Sequence, residues 1–283
     1  MGSLWDEARD TWDRAVSSVD QHRDWSRPSL RARRLWLRRA NVPIVVTGRP
    51  GAGKTALFEA LTDRVSGLGY TTRVSADWER HRVLLRGEAT SVRAAFLVVP
   101  GQDSPERTRS VARTFKNRAA PVGVIHVVCS GFNELWSGPA DGALRDLDPA
   151  PTREGNERVR RYLLDLEVQD FAELGQLLRE PAVRRRLRWL IIAVAKIDLV
   201  WDELGEVRDH YIPGGVSSPF HRVLDGLRSG ERSLPPRIAI VPFSGHPEAH
   251  QYAPGLYRTP SRLDGNQATA LRDNFYDVLG RML

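Results

Sequence analysis

The glycine-rich stretch from Gly48 to Thr55 carries the residue types best suited to chemistry, in the order Gly-Arg-Pro-Gly-Ala-Gly-Lys-Thr. It fits the pattern G-x-x-x-x-G-K-[ST] at every fixed position, and it lies between an apolar run and a predicted helix. Glycines let backbone amides wrap around phosphate groups, and the helix N-terminus adds positive potential. Lys54 would neutralise the β- and γ-phosphates of a nucleotide, and the Thr55 hydroxyl would bind magnesium. The predicted phosphate loop comprises Gly48, Gly51, Ala52, Gly53, Lys54, Thr55 and Ala56.

Lysine is scarce in this chain. Of the 42 basic residues, only Lys54, Lys116 and Lys196 are lysines, and the rest are arginines. This skew indicates a GC-rich coding bias and a bacterial source. A compact ammonium and a planar guanidinium are not interchangeable, so a remaining lysine marks a place where arginine cannot substitute. Two of the three lysines lie in motifs.

Four further motifs follow the phosphate loop in order. They are Thr72 beside Thr71, Val98-Val99-Pro100-Gly101-Gln102-Asp103, Ala195-Lys196-Ile197-Asp198, and Phe243-Ser244-Gly245. This ordered set resembles the Ras-like small GTPases, over about residues 41–283. The Ala-Gly-Lys-Thr and Gly-Gln-Asp wording is most similar to Arf-type members, and Val-Pro-Gly-Gln resembles the bacterial gliding-motility (Mgl-type) GTPases. The resemblance implies a magnesium-dependent switch that binds GTP, hydrolyses it slowly to GDP, and regulates or recruits a partner protein.

At the phosphate end, the resemblance implies Lys54, Thr72 and Gln102 as the catalytic residues. Thr72 would reach both magnesium and the γ-phosphate, so that Thr55 and Thr72 are the expected metal ligands. Gly101 would donate its amide to the γ-phosphate, and Gln102 would orient the attacking water.

At the base end, the resemblance assigns guanine recognition to the last two motifs. Lys196 would stack its stem along the base, and Asp198 would accept hydrogen bonds from the ring N–H and amino groups of guanine. Ser244, followed by Gly245, would support Asp198 or contact the base edge. Adenine lacks both donors, so a buried carboxylate facing it would stay unpaired, and that penalty discriminates between the bases.

Three residues depart from the family pattern. Val98 stands where the family has an acidic residue that holds a magnesium water, and Ala195 replaces a polar residue that braces the base loop. Pro50 stands where Ras has glycine, a change expected to crowd an arginine supplied by a partner protein. These departures keep a hydrolysis-deficient nucleotide-binding scaffold open as an alternative. An ATP-binding P-loop protein is a third class, for which no second motif is present.

Apolar runs that alternate with helical patterns predict an α/β domain, with a mostly parallel sheet and helices on both faces. The predicted strands are 42–47, 83–86, 94–99, 123–129, 189–195 and 237–241, with an edge strand opening at 73–75. The predicted helices are 53–65, 104–116, 157–188 (broken near Pro181) and 266–282. Residues 131–156 predict a surface loop within an insert at about 131–188, and residues 202–236 look loop-rich.

Residues 1–40 predict a helical extension ahead of the 41–283 domain. Its apolar residues recur at three- and four-residue steps and form one stripe. The polar face is acidic, which favours packing against the domain or a partner over lying on a membrane. The stripe comprises Trp5, Ala8, Trp12, Ala15, Val16 and Val19.

Composition and charge exclude several classes of protein. No apolar run approaches the roughly 18 residues of a membrane span, and no signal-peptide layout is present, which predicts a cytoplasmic protein. The single cysteine, Cys129, excludes a disulfide framework and suits an inert core thiol. A net charge of +7 is scattered without a nucleic-acid-binding motif, so no specific nucleic acid is expected. Basic clusters at 27–39 and 184–188 leave contact with a partner or peripherally with the inner membrane as an expectation, and the insert at 131–188 is a candidate surface for a partner or for self-association.

Overall fold

A computed structural model of the chain describes residues 4–20, 42–66, 79–86, 91–98, 121–134, 146–147, 151–214, 217–228 and 237–283. The strands of these residues are β1 (Val42–Thr47), β2 (Glu79–Arg86), β3 (Ser91–Val98), β4 (Gly123–Val128), β5 (Trp189–Val194) and β6 (Arg237–Pro242). The helices are α1 (Leu4–Asp20), α2 (Lys54–Ser66), α3 (Arg153–Leu178), α4 (Pro181–Arg184), α5 (Leu204–Tyr211), α6 (Pro219–Arg228) and α7 (Gly265–Met282), with 3-10 turns at Ile197–Leu199 and Trp201–Glu203.

The six strands form one sheet in the order β2-β3-β1-β4-β5-β6. Five strands run parallel, and β2 pairs antiparallel with β3 at the edge. Strands β4 and β5 are buried along their whole length, which explains why they read as continuous apolar runs. The α/β class and the mostly parallel sheet predicted from the sequence are confirmed.

Strand order places a crevice at the carboxyl ends of β1 and β4. After β1 the chain moves to β2 and β3 on one side, whereas after β4 it moves to β5 on the other. Neighbouring strands whose connections diverge leave a gap at their carboxyl ends, which is where open α/β sheets bind ligands. The predicted phosphate loop follows β1 directly, so it borders this gap.

Helices cover both faces of the sheet. On one face, α2 and α7 pack through Leu57 and Phe275 against Ile44 and its neighbours. On the other, α1, α3, α5 and α6 pack against residues such as Val45 and Ile192. Successive side chains of each strand point to alternate faces of the sheet, as strand geometry requires.

Element boundaries lie within a few residues of those predicted from the sequence, with two corrections. Residues 202–236 are less loop-rich than predicted, because they contain α5 and α6. Helix α6 buries Phe220, Leu224 and Leu227, an i, i+4, i+7 stripe that the flanking Pro, Gly and Ser residues obscure. The start of the predicted surface loop at 131–156 is also wrong, since residues 131–133 are buried. The strand predicted at 73–75 and the helix predicted at 104–116 lie outside the described residues.

Helix α1 is packed on the domain. Its stripe residues Ala8, Trp12, Ala15 and Val19 are buried against the face formed by β6 and α7. Small alanines let the helix approach closely, and the Arg9 guanidinium donates to the Pro213 carbonyl at 3.1 Å. The predicted stripe is confirmed for residues 4–20, and it faces protein. None of the helices in the described ranges has the combined length and apolar character that a bilayer crossing requires.

Candidate functional site

The phosphate loop connects β1 to α2 and depends on glycine backbone freedom. Gly48, Gly51 and Gly53 have φ values of +137°, +65° and +98°, in the region that L side chains disfavour. A Cβ atom at Gly48 would lie 2.3 Å from the Val127 carbonyl oxygen, and one at Gly51 would lie 2.3 Å from the Glu134 amide nitrogen. Both contacts are with backbone, which cannot swing aside. The glycines of the motif are therefore required by the turn itself.

Lys54 begins α2 and points its ammonium group back into the loop. The side chain is buried, and Nζ donates to the carbonyl oxygens of Gly48 and Arg49, each at 2.8 Å. Lys54 therefore places a positively charged group inside the loop, at the N-terminus of a helix. Such a group favours an anion, and phosphate oxygens fit it.

The opposite end of the site lies where β5 and β6 end. Asp198 sits in the 3-10 turn after β5 and is 2% exposed, and its Oδ1 accepts a hydrogen bond from the Ser244 hydroxyl at 2.8 Å. Burial raises the pKa of the Asp198 carboxyl, while the hydrogen bonds from Ser244 and Ser261 act against that rise. The result is a desolvated acceptor held in a fixed orientation.

Lys196 precedes Asp198 in a left-handed conformation, with φ of +55°. Its Nζ donates to the Phe132 carbonyl at 2.8 Å and pairs with Glu134 Oε1 at 3.3 Å. A left-handed backbone conformation is strained for lysine, and such strained residues are common at functional sites. Lys196 shares Glu134 as a neighbour with the phosphate loop, because the Glu134 amide donates to the Gly51 carbonyl at 3.3 Å.

Small residues let the two ends of the site approach each other. A Cβ atom at Gly53 would lie 3.4 Å from the Ala195 Cβ, and one at Gly245 would lie 3.0 Å from the Ala56 Cβ. Ala195 has no polar group with which to brace the loop, and its methyl group packs there instead. The structure thus brings together the predicted phosphate and base residues, which the sequence separates by about 140 positions.

Sequence reasoning missed the bracing segment, residues 129–134, which follows β4. The Asn133 Nδ2 donates to the Pro50 carbonyl at 3.0 Å, and the Glu134 amide donates to the Gly51 carbonyl at 3.3 Å. The segment therefore holds the phosphate loop from the side of β4. The Phe132 side chain, an apolar residue directly after a strand, was a weak indication that the segment turns inward.

An aromatic cluster packs behind the bracing segment. The Phe132 ring stacks on Tyr252 and meets His250 edge to face. Burial, together with the nearby charge of Lys196, lowers the pKa of His250 to about 3. His250 is therefore neutral at physiological pH.

His250 makes stability depend on pH. Its folded-state pKa of about 3 lies below the ordinary 6.5, so the unfolded chain takes up a proton first. The stability that neutral His250 contributes is present above pH 6.5 and is lost as the pH falls towards 3. Between pH 7 and pH 5, the free energy of unfolding should fall by about 2 kcal/mol more in the wild type than in His250→Phe. Urea denaturation of both proteins at the two pH values measures this difference.

Tyr252→Phe is the control for this prediction. It removes the hydrogen bond from the Tyr252 hydroxyl to the Gly131 carbonyl but leaves His250 in place. It should lower stability equally at both pH values. An unchanged pH dependence in His250→Phe would contradict the assignment.

Three predicted site residues, Thr72, Gly101 and Gln102, lie outside the described residues. Val98 ends β3, opposite Val46 of β1. Position 98 is therefore level with the end of β1, and valine has no group that can bind a metal ion.

Magnesium would take one protein ligand from the described part of the site. Thr55 lies in the first turn of α2, beside Lys54. Within the described ranges, no group of three or more His, Cys, Asp or Glu side chains could hold a metal ion. Magnesium commonly keeps several waters and shares few protein ligands with substrate phosphates, so a lone hydroxyl at a phosphate loop fits it.

Comparisons with known proteins add little to this geometry. No protein-family model matches the chain, and no curated protein matches it. Among solved structures, the chain is similar to a bacterial selenocysteine-specific elongation factor, EF-Sec, with a TM-score of 0.37 and 15% identity. The match covers 73% of this chain and 26% of that chain, so it spans about a quarter of the elongation factor. The function must therefore be argued from the site.

Proposed function

We propose that this protein is a guanine-nucleotide-binding switch. It binds GTP or GDP with magnesium at the carboxyl ends of β1, β5 and β6, hydrolyses GTP slowly, and regulates partner proteins in a bacterial cell. The observation that carries the proposal is the buried carboxylate of Asp198, fixed by Ser244 beside Lys196. The phosphate loop at the other end supplies the anion site.

Asp198 supplies the base preference. A carboxylate only accepts hydrogen bonds, and the ring N–H and amino group of guanine offer two donors side by side. Adenine presents no such pair, so its binding would leave a desolvated carboxylate without new partners. The Ser244 hydroxyl, which is fully buried, keeps the carboxylate from rotating away. The Lys196 stem would lie along the base.

The phosphate loop supplies charge and orientation. Lys54 would turn from the Gly48 and Arg49 carbonyls to phosphate oxygens, and loop amides would donate to the same group. Thr55 would hold magnesium, which when bound neutralises charge that develops on the phosphates. Phosphoryl transfer needs this positioning more than reactive side chains. For the γ-phosphate end, we propose Thr72, Gly101 and Gln102 in the roles that the motifs imply.

A hydrolysis-deficient scaffold is the second candidate. It is favoured by Val98, whose place at the end of β3 next to β1 gives no carboxylate for a magnesium water. Single-turnover measurement with GTP separates the two. Release of phosphate that Gln102→Ala abolishes supports the switch, and tight binding without release supports the scaffold.

The base assignment is tested by calorimetry with magnesium and GDP, GTP or ATP. We expect the wild-type protein to bind GDP at micromolar concentration or tighter, and ATP much more weakly. Asp198→Ala should weaken GDP binding about 30- to 100-fold, because it removes two hydrogen bonds to a charged acceptor.

Asp202→Ala is the matched control. Asp202 lies one turn further along, and its exposed carboxylate pairs with Arg262 at 3.0 Å. The affinity of this variant should stay within about threefold of wild type, since exposed ion pairs contribute little. Equal binding of ATP and GTP, or indifference to Asp198→Ala, would remove the guanine assignment.

A further inference from the structure

A buried carboxylate on α3 holds the bracing segment. Glu167 is 1% exposed, and its Oε1 accepts hydrogen bonds from the Cys129 amide at 3.1 Å and the Gly131 amide at 3.0 Å. The Cys129 thiol donates to the same oxygen at 3.3 Å. The Tyr211 hydroxyl donates to Oε2 at 2.8 Å. Four donors from three residues therefore converge on one side chain.

A carboxylate suits this place because it accepts hydrogen bonds at about four positions and donates none. Burying it is costly, and burial raises the pKa of Glu167 while these hydrogen bonds act against the rise. An apolar side chain would avoid that cost but would leave two buried backbone amides without acceptors. The carboxylate is thus needed to accept hydrogen bonds from the buried amides of the segment.

The segment has a backbone that needs such support. Ser130 has φ of +52° and Gly131 has φ of +77°, so two successive residues are left-handed. A Cβ atom at Gly131 would lie 2.4 Å from the Arg160 carbonyl oxygen, which shows how closely α3 approaches. The Cys129 and Gly131 amides donate to Glu167, and the Ser130 amide between them donates to the Tyr211 hydroxyl at 3.1 Å. Without the carboxylate, the strained turn would lose its principal acceptor.

The same segment reaches the nucleotide site three residues later. Its far end contacts the phosphate loop through Asn133 and Glu134, and its Phe132 carbonyl accepts from Lys196. Glu167 is therefore connected to Pro50, Gly51 and Lys196 by hydrogen bonds at both ends of the bracing segment and by the short backbone between them.

We propose that Glu167 is a positioning residue for nucleotide binding: it fixes the bracing segment and, through it, the phosphate loop and Lys196. This inference rests on the proposed function for its ligand. The proposal extends the nucleotide site to α3, although Glu167 contacts only the bracing segment and Tyr211. Coupling is reciprocal, so a bound nucleotide also steadies the segment against α3.

Two substitutions separate positioning from bulk stability. Glu167→Leu keeps a buried side chain of similar size but accepts no hydrogen bond. It should weaken binding of magnesium–GDP about tenfold or more, by calorimetry. Glu167→Gln keeps an oxygen for the two amides, and its NH₂ group can donate to the Tyr211 oxygen. Affinity should then stay within about threefold of wild type.

Leu174→Ala is the matched control on the same helix. Leu174 is buried two turns away and belongs to the core. Its truncation should lower the melting temperature yet leave GDP affinity within about threefold of wild type. Wild-type affinity in Glu167→Leu, or equal weakening in Leu174→Ala, would overturn the proposal.

Hydrogen exchange distinguishes failure of this inference from failure of the proposed function. In the nucleotide-free protein, the amides of residues 132–134, which do not bond Glu167, should exchange faster in Glu167→Leu than in Leu174→Ala. If wild type binds no GDP, the proposed function falls, and this comparison still decides the positioning role. If Glu167→Leu does not fold, Tyr211→Phe replaces it. Tyr211→Phe takes one donor from Glu167 and also removes the acceptor of the Ser130 amide. Exchange should then rise in the same residues, and unchanged exchange would overturn the proposal.

Discussion

Lys54→Met should lose about a thousandfold in affinity for both GDP and ATP, the largest effect we expect from one substitution. The ammonium group is buried and lies between the Gly48 and Arg49 carbonyl oxygens, where it can turn to phosphate at short range. Removing one partner of a buried, charge-assisted contact costs about 3–5 kcal/mol. Calorimetry with both nucleotides measures the loss, which must be independent of the base.

Lys54→Arg tests whether charge alone suffices. A guanidinium is planar and longer, so it does not fit between two carbonyls that an ammonium already contacts at 2.8 Å. We expect binding nearly as weak as in Lys54→Met, with an unchanged circular dichroism spectrum. Near-normal binding by Lys54→Arg would show that any positive charge suffices at position 54. It would contradict the inference that arginine cannot replace lysine there.

The sequence predicts the parts of this site that depend on local pattern. A strand, a glycine-rich turn and a helix start form one continuous segment around Lys54, and their residue types agree with one another. Asp198 and Ser244 were predicted as a pair only through motif resemblance, and the 2.8 Å hydrogen bond between them supplies the geometry. Buried apolar strands such as β4 and β5 leave little ambiguity, because both faces are covered.

The bracing segment shows what local pattern does not contain. Glu167 lies in the middle of a helix whose charged residues mostly face solvent. Its spacing of four residues from both Leu163 and Phe171 places it on the buried face, but the pattern does not say what a carboxylate there contacts. Its partners follow from the position of α3 over the end of β4, which is a tertiary fact. Gly131 likewise reads as a loop glycine, although α3 packs against it. Long-range contacts of this kind override composition, which predicted a surface loop at 131.

Gly51→Ala should separate the phosphate loop from the bracing segment. The added methyl group would lie 2.3 Å from the Glu134 amide nitrogen and 2.4 Å from its carbonyl oxygen, so the backbones must move apart and break the Glu134–Gly51 hydrogen bond. A left-handed alanine costs about 1–2 kcal/mol, and overpacking adds about 1–3 kcal/mol. We expect unfolding to become easier by about 3–4 kcal/mol, measured in urea, and GDP affinity to fall at least about 100-fold.

Gly255→Ala supplies the control that separates these two costs. Gly255 also has a positive φ, +86°, but a Cβ atom there would meet nothing within 4 Å. Only the left-handed strain should appear, about 1–2 kcal/mol, with GDP affinity within about threefold of wild type. The difference between the two variants therefore measures the contact between the phosphate loop and Glu134. If Gly51→Ala were no worse than Gly255→Ala, that contact would be absent in solution, and Glu167 would have no route to the nucleotide through Gly51.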